Sequence, residues 1–303
     1  MIASIKRQIA LYFSNKASVF FSLMGAWIAF ALYIIFLQKN MLEAWSTVPN
    51  PELVLDKWVM GGTLAVTGVT TTWTGVSRLI KDKENHQFDD FLLTGISPFS
   101  LHVGYLISAS MIGFIMQIIM YGIMSTYFYW QDGLALEMNQ FPALLGLMLL
   151  SSLLGSSLGL IGAQCFKTIE AAERLAIIIG SASGFLVGVY MPIGGLPDFA
   201  QALIKWTPAA YVAAAFRQIL MEDSLAKWNI PGMDVKEYLG VGLKWQELTS
   251  LHQNIVLVAV IIVASLLFLF ILLQVFGGRK GPSYRFHLDL KSGKEVDYVG
   301  SSD

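Results

Sequence analysis

"NIVLVAVIIVASLLFLFILLQVFG", residues Asn254 to Gly277, contains no charged side chain. About 20 apolar residues in a helix, each adding 1.5 Å, cross the ~30 Å hydrocarbon core of a bilayer. The stretch is therefore long enough and apolar enough to be a transmembrane helix.

Five further apolar runs of comparable length precede it. The six runs are residues 18–37, 58–77, 104–129, 141–163, 175–190 and 254–277. Apolar residues make up 55% of the 303-residue chain and charged residues only 14%, whereas soluble domains carry about 25% charged residues. We expect an all-α membrane protein with six transmembrane helices.

The distribution of lysine and arginine predicts the orientation. An even number of spans leaves both termini on one side of the membrane. If that side is the cytoplasm, 13 of the 20 lysines and arginines fall on cytoplasmic segments, in agreement with the positive-inside rule. We therefore expect a multi-pass protein of a bacterial cell membrane, in contact with lipid, with both termini cytoplasmic.

The chain divides into three parts. Residues 1–16 place isoleucine and leucine around Lys6 and Arg7, which fits an amphipathic helix on the inner leaflet. A plain basic flank of the first span is the alternative. Residues 17–277 are the six-span domain, and residues 278–303 are expected to form a cytoplasmic tail.

The longest loop, residues 191–253, lies outside in this topology and includes a polar lobe at 222–250. The first half of the loop is apolar at helical spacing and is interrupted by Pro208. Neither helix is expected to span, so we predict two short re-entrant helices before the last span. Their key residues are Leu196, Pro197, Phe199, Leu203, Trp206, Pro208 and Tyr211.

Small and hydroxyl-bearing residues recur within the spans. Gly180, Gly184 and Gly188 are spaced by four, a pattern that lets helices approach closely, either within one subunit or at a dimer seam.

Threonines are concentrated in the second span. Their hydroxyls either bond to carbonyls of their own helix or line a weakly polar pathway, and the candidates are Thr63, Thr67, Thr70, Thr71 and Thr74.

Several chemistries find no support in the sequence. The spans hold no acidic pair and no metal-binding motif, so we expect no catalytic residues and no metal site. Cys165 is the only cysteine, which excludes an intrachain disulfide. There is no Gly-x-x-x-x-Gly-Lys-Ser/Thr motif for nucleotide phosphates. A net charge of −1 suggests no nucleic-acid partner.

The segment after the second span, "KENHQFDDFLLTGISPFS" (Lys83–Ser100), is polar and cytoplasmic in this topology. A helix from Glu84 to about Leu93 would group aromatic and acidic side chains on an exposed face. These residues are Glu84, Phe88, Asp89, Asp90, Phe91 and Leu92. Because the inner leaflet is anionic and favours basic helices, we expect the segment to dock on a protein.

Two stretches resemble permeases of the type-2 ABC exporter family. In "ENHQFDDFLLTGIS", Glu84 and Asp89 fall on the acidic positions of the motif that follows the second span in that family, and Thr94 also matches. His86 and Gln87 replace the usual Gly-Thr, and Gly95 replaces a proline. A second stretch has Leu-Pro-x-Phe at residues 196–199, then Thr207-Pro208, Tyr211 and Arg217.

The resemblance implies a permease without its own ATP site. Two permease copies, identical or different, would bind two ATPase subunits that carry ATP and Mg²⁺. The helix in residues 84–93 would be the main coupling helix, with a second contact at Glu170, Glu173 and Arg174. The short outer helices would form an external gate, and spans 1, 2 and 5 the dimer seam.

Function then has a leading hypothesis and two alternatives. The leading one is ATP-driven export of a hydrophobic or amphipathic molecule by alternating access, since the spans are apolar and rich in threonine. A sensory or scaffolding membrane subunit that binds an ATPase without transport is the first alternative. A lipid-modifying membrane enzyme is the second, which spans without catalytic groups disfavour.

Overall fold

A computed structural model describes residues 2–45, 49–135, 137–225 and 234–277. The predicted tail, residues 278–303, lies outside the described residues, as does part of the polar lobe. The described part contains helices and no β-strand.

The first helices along the chain are α1 (Ile2–Ser14), α2 (Lys16–Ser22), α3 (Met24–Leu32, continued by a π-helical turn at Tyr33–Leu37), α4 (Gln38–Ala44), α5 (Pro51–Glu84) and α6 (Gln87–Leu93). They continue with α7 (Pro98–Asp132), α8 (Phe141–Ala163), α9 (Ile169–Leu186), α10 (Asp198–Lys205), α11 (Pro208–Leu225), α12 (Val235–Leu239) and α13 (Leu251–Gly277), with a 3-10 turn at Ile193–Gly195.

Within the described ranges, four helical stretches are long and apolar enough to cross a membrane. They are Met24–Glu43, Pro98–Asp132, Phe141–Ala163 and Leu251–Gln274. The second and fifth predicted spans fall on α5 and α9, which are helical but more polar. The structure thus supports an all-α membrane protein, and the count of six spans stays a prediction.

Helix α5 forms the centre of the helix bundle. It packs against α7, α8, α9 and α11, and most of its side chains are buried, including those of Trp58 and Leu64. Small residues allow this close packing. A Cβ added to Gly113 of α7 or Gly155 of α8 would contact Thr72 of α5. The bundle therefore depends on close approach of helix backbones.

Gly155→Leu is expected to destabilise the bundle by about 1–3 kcal/mol, as overpacking of a tight contact does. A Cβ at Gly155 would contact Thr72 Oγ1 and lie 3.2 Å from the carbonyl oxygen of Gly68. Gly146→Leu on the same helix is the control, because a Cβ there meets no atom within 4 Å. Thermal unfolding in detergent measures the effect, and equal midpoints for the two variants would contradict the close contact.

The predicted glycine stripe of the fifth span is only partly helical. Helix α9 ends at Leu186, so Gly188 lies beyond it, with a left-handed φ of 63°. The expectation that helix continues to residue 190 is therefore wrong. A Cβ on Gly184 would contact the Tyr190 ring, and a Cβ on Gly25 would lie 3.0 Å from the Gly180 carbonyl oxygen. These contacts lie within one chain, and the dimer seam stays a prediction.

The segment between α9 and α13 contains two helices separated just before Pro208, as its proline pattern predicts. Helix α11 has 18 residues and extends to Leu225, into the predicted polar lobe. That these helices are re-entrant on the outer side stays a prediction. Helix α10 ends at Lys205 and α11 begins at Pro208, where proline is favoured because the first helical N–H needs no partner. Helix α11 packs on α5 and α13 and is largely buried.

Candidate functional site

The predicted coupling segment forms a short helix at the polar end of α5. Helix α5 ends at Glu84, the chain turns through His86 with a φ of 58°, and α6 follows. The helical part is therefore shorter than the expected 84–93, because Glu84 belongs to α5. His86 breaks the helix, so α6 can fold back toward α7.

Phe88 points into the protein, so the expectation that it lies on the exposed docking face is wrong. It is 8% exposed, with its ring centroid 5.4 Å from that of His102 and 6.5 Å from that of Tyr105. The Lys83 ammonium lies 5.4 Å from the Phe88 ring centroid and donates to Gln164 Oε1 at 2.9 Å. Phe88 thus anchors α6 to the bundle.

Burial lowers the pKa of the Lys83 ammonium to about 8, and Asp89 opposes this shift. The ammonium is still positioned for its cation–π contact with Phe88. Lys83 therefore belongs to the support of α6 and not to its free surface.

The exposed surface of α6 is acidic and apolar. Asp89, Asp90 and Leu93 are exposed, with Leu93 at 80%. Phe91 and Leu92 are half-buried. His86 Nδ1 lies 3.4 Å from Asp89 Oδ2. A short helix that presents two carboxylates and a leucine can bind a basic cleft with an apolar centre.

A buried carboxylate, Asp82 of α5, joins α5 to α1 and α7. Asp82 is fully buried; its Oδ2 lies 2.9 Å from Arg7 Nη1 and accepts a hydrogen bond from Tyr105 at 2.7 Å, while its Oδ1 lies 3.2 Å from Arg78 Nε. Arg7 also donates to Gln87 Oε1 at 2.7 Å. We call Arg7, Arg78, Asp82 and Tyr105 the Asp82 cluster.

Sequence reasoning missed this cluster. The available signal was Asp82 four residues after Arg78, a spacing that places both on one helix face. The partner on α1 could not be read from spacing. The predicted amphipathic helix at residues 1–16 does form as α1, and its buried side chains are Ser4, Gln8 and Tyr12. Gln8 accepts a hydrogen bond from Ser108 of α7 at 2.6 Å.

The second predicted contact lies next to the first. Glu84 Oε2 accepts a hydrogen bond from the Ile169 N–H at 2.8 Å, which joins the end of α5 to the beginning of α9. Glu170 and Arg174 form an exposed ion pair at 2.6 Å, and Glu173 is exposed. The two loops that were predicted to contact one ATPase therefore share one surface.

The other end of α5 holds a second buried charge. Arg217 of α11 is fully buried and donates to three backbone oxygens, of Gly188 at 2.8 Å, Gly240 at 3.3 Å and Trp58 at 3.4 Å. Its guanidinium lies 5.2 Å from the Trp58 ring centroid. Three segments, α5, the end of α9 and the lobe, meet at this side chain.

The predicted gate residues fall into two groups. Phe199 and Leu203 are exposed on α10, Phe199 at 76%, and Trp206 directly after the helix is 79% exposed. Pro197 is exposed as well. Tyr211, in contrast, is buried. The remaining gate positions, Leu196 and Pro208, are half-buried.

Tyr211 fastens the outer segments to one another. Its hydroxyl donates to the Lys205 carbonyl at 2.8 Å and accepts from Trp245 Nε1 at 3.0 Å. Tyr211 therefore holds α10 against the lobe, while the apolar face of α10 is open to lipid or to a partner.

The threonines of α5 also divide. Thr63, Thr67 and Thr71 are fully buried within the bundle, whereas Thr70 and Thr74 line a cavity beside α9. Hydroxyls of four of the five donate to carbonyls of the same helix, those of Thr67, Thr70, Thr71 and Thr74. Hydrogen bonds to carbonyls of their own helix therefore explain why these four threonines are tolerated in an apolar environment. Of the five candidates, Thr70 and Thr74 line the cavity and remain candidates for lining a pathway.

A metal site does not emerge from the described side chains, since no three His, Cys, Asp or Glu residues converge among them as ligands. The polar groups at the two ends of α5 instead fix helices and loops to one another.

A bundle of long apolar helices, with the short acidic helix α6 at one end of its central helix, defines a multi-pass membrane protein. The family model described as ABC-2 family transporter protein matches residues 49–276, which is most of the chain. The chain therefore belongs to the ABC-2 transporter family, as a membrane permease component and not the ATP-binding subunit; the family associates with an ABC ATPase. Comparison with curated proteins gives no match.

Proposed function

We propose that this chain is the permease subunit of an ATP-driven exporter for a hydrophobic or amphipathic molecule, and that α6 is its main coupling helix. The observation that carries the proposal is that α6 has two opposite faces. Phe88 fixes one face to the bundle, and Asp89, Asp90 and Leu93 are exposed on the other.

A coupling helix must be rigidly joined to the helices that it moves. The contacts of Arg7 with Asp82 and Gln87 join α6 to α1 and α5, and the hydrogen bond of Glu84 joins α5 to α9. A force on α6 would therefore reach α1, α5 and α9 together. Closure of two ATPase subunits, each seated on one permease of a dimer, would drive alternating access. The exposed face of α10 would close the path on the outside.

The orientation belongs to this proposal. With both termini in the cytoplasm, α6 and the beginning of α9 face the ATPase side, and Arg217 and α10 lie toward the outside. The six predicted spans then include α5 and α9, whose polar ends would extend beyond the hydrocarbon core.

The double charge reversal Asp89→Lys/Asp90→Lys is expected to lower copurification of the ABC ATPase at least fivefold, because both carboxylates face the expected basic cleft. The tagged permease would be purified from native membranes, and the bound ATPase quantified together with its ATP hydrolysis. Asp198→Lys on α10, also exposed, is the matched control at the other end of the bundle.

Two outcomes would contradict this proposal. Equal ATPase yield in the charge-reversal and control variants would show that α6 is not the coupling helix. A complex that binds the ATPase normally and hydrolyses ATP, but moves no amphiphile in vesicles, would favour the sensory or scaffolding subunit.

A further inference from the structure

A cavity of about 730 Å³ opens between α1, α2, α3, α5 and α9. We call it the inner chamber, because it lies along the half of α5 that ends at the coupling helix. Phe21, Ile28 and Ile177 contribute exposed apolar side chains to it. Its volume falls within the ~300–1,000 Å³ of ordinary small-molecule sites.

The lining changes from apolar to basic along α5. Thr70 and Thr74 lie at one end, and Arg78 and Lys81 at the other. Eleven residues of helix separate Thr70 from Lys81, a length of about 16 Å. One leaflet of a ~30 Å hydrocarbon core is about 15 Å deep. The chamber therefore matches the depth and the polarity gradient of a lipid-like molecule within one leaflet.

The basic end carries an excess of positive charge. Arg78 and Lys81 line it, and Glu173 is the one carboxylate among its described lining residues. Asp82 is shared between Arg7, Tyr105 and Arg78, so it offsets part of the charge of Arg78. None of the described residues partners the Lys81 ammonium through an ion pair or a side-chain hydrogen bond. The chamber therefore offers an unsatisfied cation to a ligand.

The hydroxyl groups that α5 contributes to the wall are poor donors to a ligand. The Thr70 hydroxyl donates to the Val66 carbonyl at 3.1 Å, the Thr74 hydroxyl to the Thr70 carbonyl at 3.0 Å, and the Ser77 hydroxyl to the Thr74 carbonyl at 2.8 Å. A sugar or a peptide would need such donors for its oxygens. A hydrocarbon chain does not need them.

We propose that the inner chamber binds an amphiphile with one anionic headgroup and at least one acyl chain, taken from the inner leaflet as the transported substrate. The headgroup, a phosphate or a carboxylate, contacts Lys81 and Arg78, and the chain lies against Phe21, Ile28 and Ile177. This rests on the proposed export function and narrows its substrate class.

Binding would be measured on the full permease–ATPase complex in nanodiscs, with fluorescent phosphatidic acid as the probe and phosphatidylcholine of the same acyl chains as the neutral comparison. Lys81→Gln is expected to weaken phosphatidic acid binding about fivefold, the effect of one partly exposed charge-assisted contact. Phosphatidylcholine binding should not change, and Lys81→Arg should restore the anionic probe. Lys16→Gln is the matched control, since Lys16 begins α2 outside the lining.

Transport would be followed in vesicles by chemical quenching of the probe in one leaflet. ATP should move phosphatidic acid out of the ATPase-side leaflet, and less so in Lys81→Gln. Binding without ATP-dependent movement would overturn the substrate assignment in favour of a resident lipid. Equal binding of both probes, or no effect of Lys81→Gln, would overturn the site.

A second copy of the chain that fills the chamber, and does not merely meet its rim at the predicted seam of spans 1, 2 and 5, would also overturn the proposal. It would appear as disulfide-linked dimers of Ser181→Cys in a Cys165→Ser background, together with no probe binding. If ATPase copurification still depends on Asp89 and Asp90 and another amphiphile is moved by ATP, any of these failures would leave the proposed permease function intact.

Discussion

Arg217→Met is expected to lower the free energy of unfolding by about 3 kcal/mol, because it leaves buried carbonyl oxygens without donors. The guanidinium donates to the backbone oxygens of Gly188, Gly240 and Trp58 and stacks on the Trp58 ring. A methionine fills a similar volume but donates to none of them. The measurement is a denaturant titration of the purified chain in mixed micelles.

Arg217→Lys separates the contribution of the positive charge to stability from that of the planar guanidinium. Lysine retains the cation but lacks the planar fork that reaches three directions, so we expect an intermediate loss of stability. Arg174→Met is the control, since Arg174 is exposed and pairs with Glu170 within one helix. If Arg217→Met were as stable as the control, the buried arginine would not hold α5, α9 and the lobe together.

Asp82→Asn is expected to cost about 2 kcal/mol of unfolding free energy and to loosen α1 from α6. The amide oxygen can still accept from Tyr105, but the negative charge between Arg7 and Arg78 is lost. Two guanidiniums are then left close together. Solvent screening lowers this cost only modestly, because Asp82 is fully buried although both arginines are partly exposed.

A double-mutant cycle with Arg7→Gln tests whether the effect comes from the pair. The loss in the double variant should be clearly smaller than the sum of the two single losses. Asp90→Asn, an exposed carboxylate eight residues further along, should leave stability unchanged. Additive losses in the cycle would show that Arg7 and Asp82 act independently and that α1 is not held by this contact.

The membrane class could be predicted from the sequence because transfer into hydrocarbon is a sum over neighbouring residues. Residues 254–277 lie in α13, which begins at Leu251, and the run at 141–163 has the same bounds as α8. Pro208 predicted the break between α10 and α11 for an equally local reason, since proline lacks an N–H and fixes its own φ. Charged residues in a polar loop also identified the segment that became α6.

The direction in which α6 faces could not be predicted. Its helical pattern groups Phe88, Phe91 and Leu92, but does not say whether bundle or partner covers them. The structure buries Phe88 because Lys83, His102 and Tyr105 surround it. Two of these neighbours lie on α7, so the choice was made by packing of helices and not by the segment itself.

The partners of the buried charges Asp82 and Arg217 could not be predicted from the sequence either. Sequence alone predicted a helical span at residues 58–77 with hydroxyl-bearing residues and a polar segment after it. Only the tertiary structure decided that Asp82 meets Arg7 of α1 and that Arg217 meets the carbonyls of Gly188 and Gly240. A charge removed from water must find its partner in space, and that partner is set by which helices pack together, a property that no local stretch of the chain contains.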